Sequence, residues 1–310
     1  MKVCIIGSYA KALVMTTQRI PIAGETLIGT DYRGTFGGKG SDMAVQAARL
    51  GVGVSYIGVI GDDAFGKEFI DLMDSEKIDI SGLRITKSAP TGTGFIIKDT
   101  SAKNIIVVAP GANNLFNKVD INEAEHLINE ADVVLAQLEI PLETALYAMK
   151  IGKKHGKITI LNPAPAKDLS KHDLSDVDIL TPNETEARIA AGLDADSDIE
   201  NSEVAAHLLK TGCKYIIMTL GDKGAGVFSK DKCYDIAPYR IKVTDSNGAG
   251  DCFNASLAAS LAMGKTLTDS VHYANATAAL CCTKWETVPS YHTKEQVDEF
   301  IKDYKGGSSK

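Results

Sequence analysis

Basic charge is what this chain of 310 residues most lacks: 33 Lys and Arg stand against 40 Asp and Glu, a formal net charge of −7 with a pI near 5.4. A nucleic-acid or anionic-membrane surface needs a basic footprint, so neither is expected as a partner. Long apolar runs are missing as well. Met1 to Gly7 carries one charge and then a stretch far too short for a signal h-region or a spanning helix, which predicts a cytoplasmic protein. The six cysteines, at 4, 213, 233, 252, 281 and 282, include no CxxC pair and no histidine at zinc-like spacing. They read as core thiols, not as a disulfide frame or a metal knot. Low-complexity tracts and internal repeats are absent too, and Gly-Gly-Ser-Ser at 306–309 reads as a frayed or appended tail.

What is present is enough apolar material, 44% of the residues, to bury one large core, so a single domain over 1–310 is expected. Short β-branched runs alternate with amphipathic stretches. The pattern predicts strands over 3–7, 56–60, 133–138, 158–161, 178–180 and 215–220, and helices over 41–50, 65–73, 142–155, 204–211 and 252–263. Such alternation implies an α/β fold, a doubly wound and mainly parallel sheet flanked by helices. The central strands should be continuously apolar, as Val133-Val134-Leu135-Ala136 and Tyr215-Ile216-Ile217-Met218 are. About 11–36 and 93–108 are β-rich with no helix between strands, which predicts a small β-sheet lid over one end of the main sheet.

The chemistry concentrates in glycine-rich turns. Asp245-Ser246-Asn247-Gly248-Ala249-Gly250-Asp251 runs straight into an apolar helix. Glycines there let main-chain N–H groups converge on an anion, and the helix dipole adds about half a positive charge, so phosphate is the expected guest. A carboxylate ending such a loop repels phosphate, but it makes sense as the acceptor of a proton from an attacking hydroxyl. The plain alternative is that Asp251 only caps the helix. Gly37-Gly38-Lys39-Gly40-Ser41-Asp42 is a second glycine turn feeding a helix, with Asp42 placed to hold ligand hydroxyls; an ordinary strand-to-helix turn is the alternative. Asn183-Glu184-Thr185-Glu186 puts an Asn and an acid three residues apart, able to organise Mg²⁺ and phosphates or merely to start a helix. A Walker A loop is lacking, since Gly34 to Gly40 has the wrong spacing and Gly40 where Ser or Thr is needed, and no strand carries GxGxxG into a helix.

Together these segments resemble the ribokinase-like carbohydrate kinase family, the phosphofructokinase B type, over nearly the whole chain. Gly37 to Gly40 is similar to its N-terminal signature and Asp245 to Asp251 to its C-terminal DTxGAGD signature; 58–66, 162–166, 181–186 and 219–221 match in order. The resemblance implies ATP-dependent phosphoryl transfer to a hydroxyl of a small sugar or sugar-like substrate. Asp251 would be the general base, and the amides of Gly248, Ala249 and Gly250 the anion hole. Gly38, Lys39, Asp42 and Glu139 would join Asp251 around the acceptor. Thr219 and Gly221 would contact the nucleotide, Asn275 would close the adenine pocket, and Asn183 with Glu186 would hold Mg²⁺ through water. Asp245, Asn247 and Ser290 would surround a monovalent cation such as K⁺, and the lid would pair between protomers of a homodimer.

Three departures bear on the substrate. Relatives usually open with G-S-x-N-x-D, whose Asn and Asp hold sugar hydroxyls, whereas Gly7-Ser8-Tyr9-Ala10-Lys11-Ala12 has alanine at both places. Ribose recognition is therefore not expected, and a deoxy, modified or bulkier polyol fits better. Asp42 stands where the family has Asn, which either favours a donor-rich ligand or is a neutral swap. Glu286 replaces a Gly beside the cation site; its carboxylate either takes over the cation's charge or points to solvent. A nucleoside kinase on the same scaffold and a catalytically silent sugar-binding regulator are the competing functions, although a silent protein has no need of an intact Asp251.

Overall fold

Thirteen strands and ten α-helices fill residues 1–99 and 104–307, the residues that the computed structural model describes. In chain order they are β1 (Lys2–Ile6), β2 (Ala10–Thr17), β3 (Asp31–Gly37), α1 (Lys39–Arg49), β4 (Gly53–Gly61), α2 (Ala64–Ser75), β5 (Asp79–Thr86), β6 (Gly92–Asp99) and β7 (Asn104–Ala109). Then follow α3 (Lys118–Glu123), α4 (Glu125–Glu130), β8 (Val133–Ala136), α5 (Leu142–Lys154), β9 (Ile158–Leu161), β10 (Ile179–Leu180), α6 (Glu184–Ala190) and α7 (Asn201–Leu209). The last third holds β11 (Tyr215–Thr219), β12 (Ala225–Phe228), β13 (Cys233–Ile236), α8 (Ala249–Ala262), α9 (Leu267–Cys281) and α10 (Lys294–Gly307).

Nine strands form one sheet in the order β13-β12-β11-β10-β9-β8-β1-β4-β5, parallel except where β12 pairs antiparallel with β11 and β13. The period-2 alternation of its strands sorts side chains between two cores. Val3, Ile5, Val133 and Leu135 pack with α1, α2, α8 and α9 on one face, while Cys4, Ile6, Val134 and Ala136 pack with α3 to α7 on the other. Helices thus cover both faces, and the doubly wound expectation holds. Sequence reading missed the antiparallel β12–β13 edge and β5; mixed composition hides β5 and β13, and β12 is an apolar run of only four residues. Gly306 and Gly307, expected to fray, complete α10, whereas Ser308 and Ser309 of that expectation lie outside the described residues.

The remaining four strands form a second sheet in the order β3-β2-β6-β7, built from the two segments expected to be β-rich; 100–103 of that expectation lie outside the described residues. It is tied to the large sheet at its root. Asn113 accepts from the Tyr9 N–H at 3.1 Å and donates to the Tyr9 carbonyl at 2.8 Å, and buried Lys11 pairs with Glu68 of α2. Asp63, the N-cap of α2, also accepts from the Thr91 N–H and hydroxyl, both at 2.7 Å, so the Gly61-Asp62-Asp63 turn is a brace at the entry of β6.

Because β4 lies on one side of β1 and β8 on the other, the chain reverses its winding direction at β1. In open α/β sheets the crevice outside the carboxyl ends of the strands at such a point is where ligands bind. Gly7, Ser8, Gln137 and Glu139 follow the ends of β1 and β8 there, and Asn183 and Gly221 follow β10 and β11 farther along the same edge.

Candidate active site

Two tight approaches build the acceptor end. A Cβ on Gly40 would lie 2.5 Å from the Ser8 nitrogen and 2.6 Å from the Gly7 Cα, so α1 starts in contact with the end of β1 only because neither Gly7 nor Gly40 has a side chain. Gly38, with φ +94, turns β3 into α1. The turn presents the Lys39 N–H to a Glu139 carboxylate oxygen at 2.8 Å, and the Ser8 hydroxyl donates to the same oxygen at 2.6 Å. Gln137 in turn donates to the Ser8 hydroxyl at 2.7 Å. Four predicted positions, Gly38, Lys39, Asp42 and Glu139, thereby meet at one place, with Ser8 and Gln137 as supports that sequence reasoning passed over.

Asp251 joins them from α8. Gly248 is the N-cap of that helix, in the left-handed region at φ +77, and no side chain caps it. Asp251 sits one turn in, 6% exposed, with Oδ1 lacking any hydrogen-bond partner among the described residues and 3.7 Å from the Lys39 ammonium. The capping alternative is therefore excluded. Burial pushes the Asp251 carboxyl up to about 6; Lys39 opposes the rise, and the negative charges of Glu139 and Glu186 add to it. Lys39 is held above the usual lysine range, chiefly by Asp251. Asp42 is also buried with Oδ1 unpartnered among the described residues, and burial with the nearby Asp251 and Glu139 charges raises its carboxyl well above normal. Three carboxyls around one ammonium form a polar pocket whose unsatisfied oxygens await a donor.

Beyond Asp251 lies a cavity of about 760 Å³ between the ends of β10 and β11, the 238–243 segment and helices α8 and α9. Asn183, Thr219, Gly221, Asn275, Ala249 and Gly250, all named from the sequence, line it, whereas Glu186 and Gly248 do not. Phe253, Ala278, Ala279 and the 238–243 wall were not foreseen; the two alanines carry no chemical signal, and Phe253 is one apolar residue in an apolar helix. Asn275 Nδ2 donates to the carbonyls of Ile236 and Ala237, at 3.4 and 3.3 Å, which fixes the chain entering that wall. At the helix start, the N–H groups of Gly248, Gly250 and Asp251 have no partner among the described residues, whereas that of Ala249 donates to the Ser246 carbonyl at 3.3 Å. A Cβ on Gly248 would come within 2.8 Å of the Tyr291 hydroxyl, so glycine is required there.

Asn183 and Glu186 are a reciprocal capping box: each side chain accepts the other's N–H at 2.8 Å. The helix-start reading of this motif is thus correct; burial raises the Glu186 carboxyl, while the Asn183 N–H and the Lys39 charge draw it down. Asp245 accepts the Asn247 N–H at 3.0 Å and the Glu286 N–H at 3.1 Å. The Ser290 hydroxyl donates to the Thr287 carbonyl at 2.7 Å and lies 3.1 Å from the Cys281 sulfur. Glu286 takes neither placement expected of it: its carboxylate pairs with Arg33 of β3 at 2.5 Å, because the small sheet reaches over this loop. Ala10 and Ala12 lie side by side, half-buried, next to Gly37 on the face of β2 opposite Lys11.

Comparison with known proteins agrees with this architecture. The profile of the pfkB family carbohydrate kinases matches residues 1–294. Ribokinase of Haemophilus influenzae is 35% identical over 297 residues, covering 96% of this chain and 97% of the relative. Deoxyribokinase of Salmonella typhimurium is 32% identical over 302 residues, covering 97% and 99%. The structure of Arabidopsis thaliana ribokinase complexed with ribose and ATP superposes with a TM-score of 0.88 at 27% identity, covering 97% of this chain and 98% of that one. A glycine-floored pocket of buried acids at the sheet's switch point, a cavity beyond it, and likeness along almost every residue have one common explanation: the chain belongs to the pfkB family of carbohydrate kinases.

Proposed function

We propose that the protein transfers the terminal phosphoryl group of ATP to a hydroxyl of a small polyol, with Asp251 as general base. The observation that carries this reading is a buried carboxylate with a free oxygen in the first turn of a helix where the Gly248, Gly250 and Asp251 N–H groups have no partner among the described residues. Asp251 takes the proton from the acceptor hydroxyl; that oxygen bonds to the terminal phosphorus, and ADP leaves with the bridging oxygen's electrons. The Gly248 and Gly250 amides, with Ala249 once its long bond to Ser246 yields, receive the phosphoryl oxygens. Lys39 keeps Asp251 ionised and adds positive charge near the transferred group. Asn183, Thr219, Gly221 and Asn275 belong to the nucleotide cavity.

Mg²⁺ bound with the nucleotide would neutralise phosphate charge, and Glu186 and Asn183 would hold it through water. The fit is good: one acid with a free oxygen suits an ion that keeps most of its waters. No group of three potential metal-binding side chains exists among the described residues to form a complete cage. A monovalent cation at Asp245, Asn247 and Ser290 would share the two Asp245 oxygens and the Ser290 hydroxyl with the protein partners they already have. No step runs through one.

The acceptor is not expected to be ribose. Alanine at 10 and 12 gives two ribose hydroxyls no partner, and a hydroxyl left unpaired on burial costs about 1–3 kcal/mol. A deoxy, branched or bulkier polyol that offers donors to Asp42 and an apolar edge to Ala10 and Ala12 satisfies the pocket. In an ATP-consumption screen over pentoses, hexoses, deoxy sugars and nucleosides, ribose should fall at least about tenfold below the best acceptor in kcat/KM. Ribose at the top refutes this, and a nucleoside at the top replaces sugar by nucleoside phosphorylation. The same assay should give equal rates in sodium and potassium buffers.

We further propose that the small sheet is the lid of a single kinase domain and pairs with its copy in a homodimer. Its outer strand β7 exposes Ile105, Ile106, Val107 and Val108, and Phe95 of β6, Met15 of β2 and Tyr32 of β3 are exposed on the rest of the sheet. A solvated edge of this apolarity invites association. Light scattering should return twice the chain mass of 33.0 kDa; a monomer at micromolar concentration removes the dimer.

A further inference from the structure

Glu286 adopts φ +70, a conformation that side chains other than glycine rarely take, in the loop after α9. Such an outlier persists only where its surroundings fix it. Here both ends of the residue are held. The side chain pairs with Arg33 in the middle of β3, while the main-chain N–H donates to Asp245. Asp245 uses its other oxygen to hold the Asn247 N–H, directly before Gly248.

The neighbours of Glu286 repeat the arrangement. The Thr287 hydroxyl donates to the Phe36 carbonyl of β3 at 3.4 Å, and Lys98 of β6 lies 5.6 Å from the centre of the Trp285 ring. Residues 285–287 thus touch the small sheet three times, and Thr287 and Tyr291 pack against Gly248 from behind. Strand β3 also leads straight into Gly38 and Lys39. One loop therefore connects the strand that frames the acceptor with the turn that forms the helix start.

We propose that Glu286 is a positioning residue that couples the seating of the small sheet over the acceptor to the geometry of the Gly248–Gly250 amides, through Arg33 on one side and Asp245 on the other. The proposal rests on the reading of those amides as the phosphoryl site. It explains why a strained glutamate is kept where glycine would sit at ease. The Arg33 and Glu286 side chains are 42% and 22% exposed, so salt weakens the coupling.

The test compares Glu286→Gly, Glu286→Gln, Arg33→Met and the Glu286→Gly/Arg33→Met double variant, each in the full chain, with the best acceptor of the screen. Glu286→Gly should fold at least as stably, since it relieves the backbone. It should lower kcat/KM for the acceptor by about tenfold, the size of an ordinary coupling, while the Kd for ATP stays within twofold. Arg33→Met should match it, the double variant should fall no further than either, and Glu286→Gln, which keeps a hydrogen bond to Arg33, should recover most of the loss. The loss in the single variants should shrink relative to the unaltered chain as salt rises. Unchanged acceptor kinetics in Glu286→Gly, or losses in the two single variants that multiply in the double one, overturn the coupling. If Asp251→Asn also retains turnover, the active-site reading itself fails; if Asp251→Asn is inactive, only the coupling does.

Discussion

Asp251→Asn should leave ATP binding intact and lower kcat by about 10²–10⁴-fold, the usual contribution of a positioned general base. The substitution preserves shape and removes only the ability to accept a proton. Nucleotide affinity, read by calorimetry, should hold because the cavity beyond Gly250 is lined by other residues. An active Asp251→Asn protein would show that the proton leaves by another route. The unaltered enzyme carries the same signature in its pH profile. A base works only when ionised, and the Asp251 carboxyl is pushed up to about 6, so kcat/KM should be level above that value and fall about tenfold per unit below it. An ordinary aspartate would hold activity two units further into acid; a flat profile down to pH 4 contradicts the burial argument.

Lys39→Met should produce the next largest loss, and in a form that identifies its cause. The Lys39 ammonium, 3.7 Å from Asp251, is the cation that offsets burial and the negative charges of Glu139 and Glu186. Without it the carboxyl holds its proton more tightly, so the acid limb of the profile should move upward by about one to three pH units. At pH 7 that shift lowers the ionised fraction, and with it the rate, by about 2–100-fold, and most of this loss should return at pH 9. Lys39→Arg keeps the charge and should keep the limb near its original place. Were Lys39 needed only to fill space, methionine would change neither the limb nor its recovery in base.

The backbone layout could be read from the chain because local physics fixes it. Continuous apolarity in β8 and β11, alternation with amphipathic helices and glycine at helix starts each restrict the chain within a few residues. Those signals placed most central strands within about three residues of their true ends. They failed at β5 and β13, where mixed polarity carries no clear period, and at β12, an apolar run of only four residues. The glycine turns at Gly38 and Gly248 were visible for the same local reason, since positive φ and close backbone approach demand glycine wherever they occur.

What a residue does at the site was less visible, and the reason is distance along the chain. Asp251 as cap or as base cannot be separated by its neighbours in sequence; in the fold no side chain caps α8, and Asp251 lies buried beside Lys39, more than two hundred positions away, which supports the proposed base. Asn183 and Glu186 turned out to serve the helix itself, a bond pattern that sequence spacing allowed but did not require. Glu286 was placed by neither expectation, because its partner Arg33 lies on a different sheet. The sequence by itself determined the family, the sheet and which residues are chemically able to act. Only the tertiary structure decided their charge states and partners, because desolvation and Coulomb interaction depend on what surrounds a group in space, and distant segments supply those surroundings.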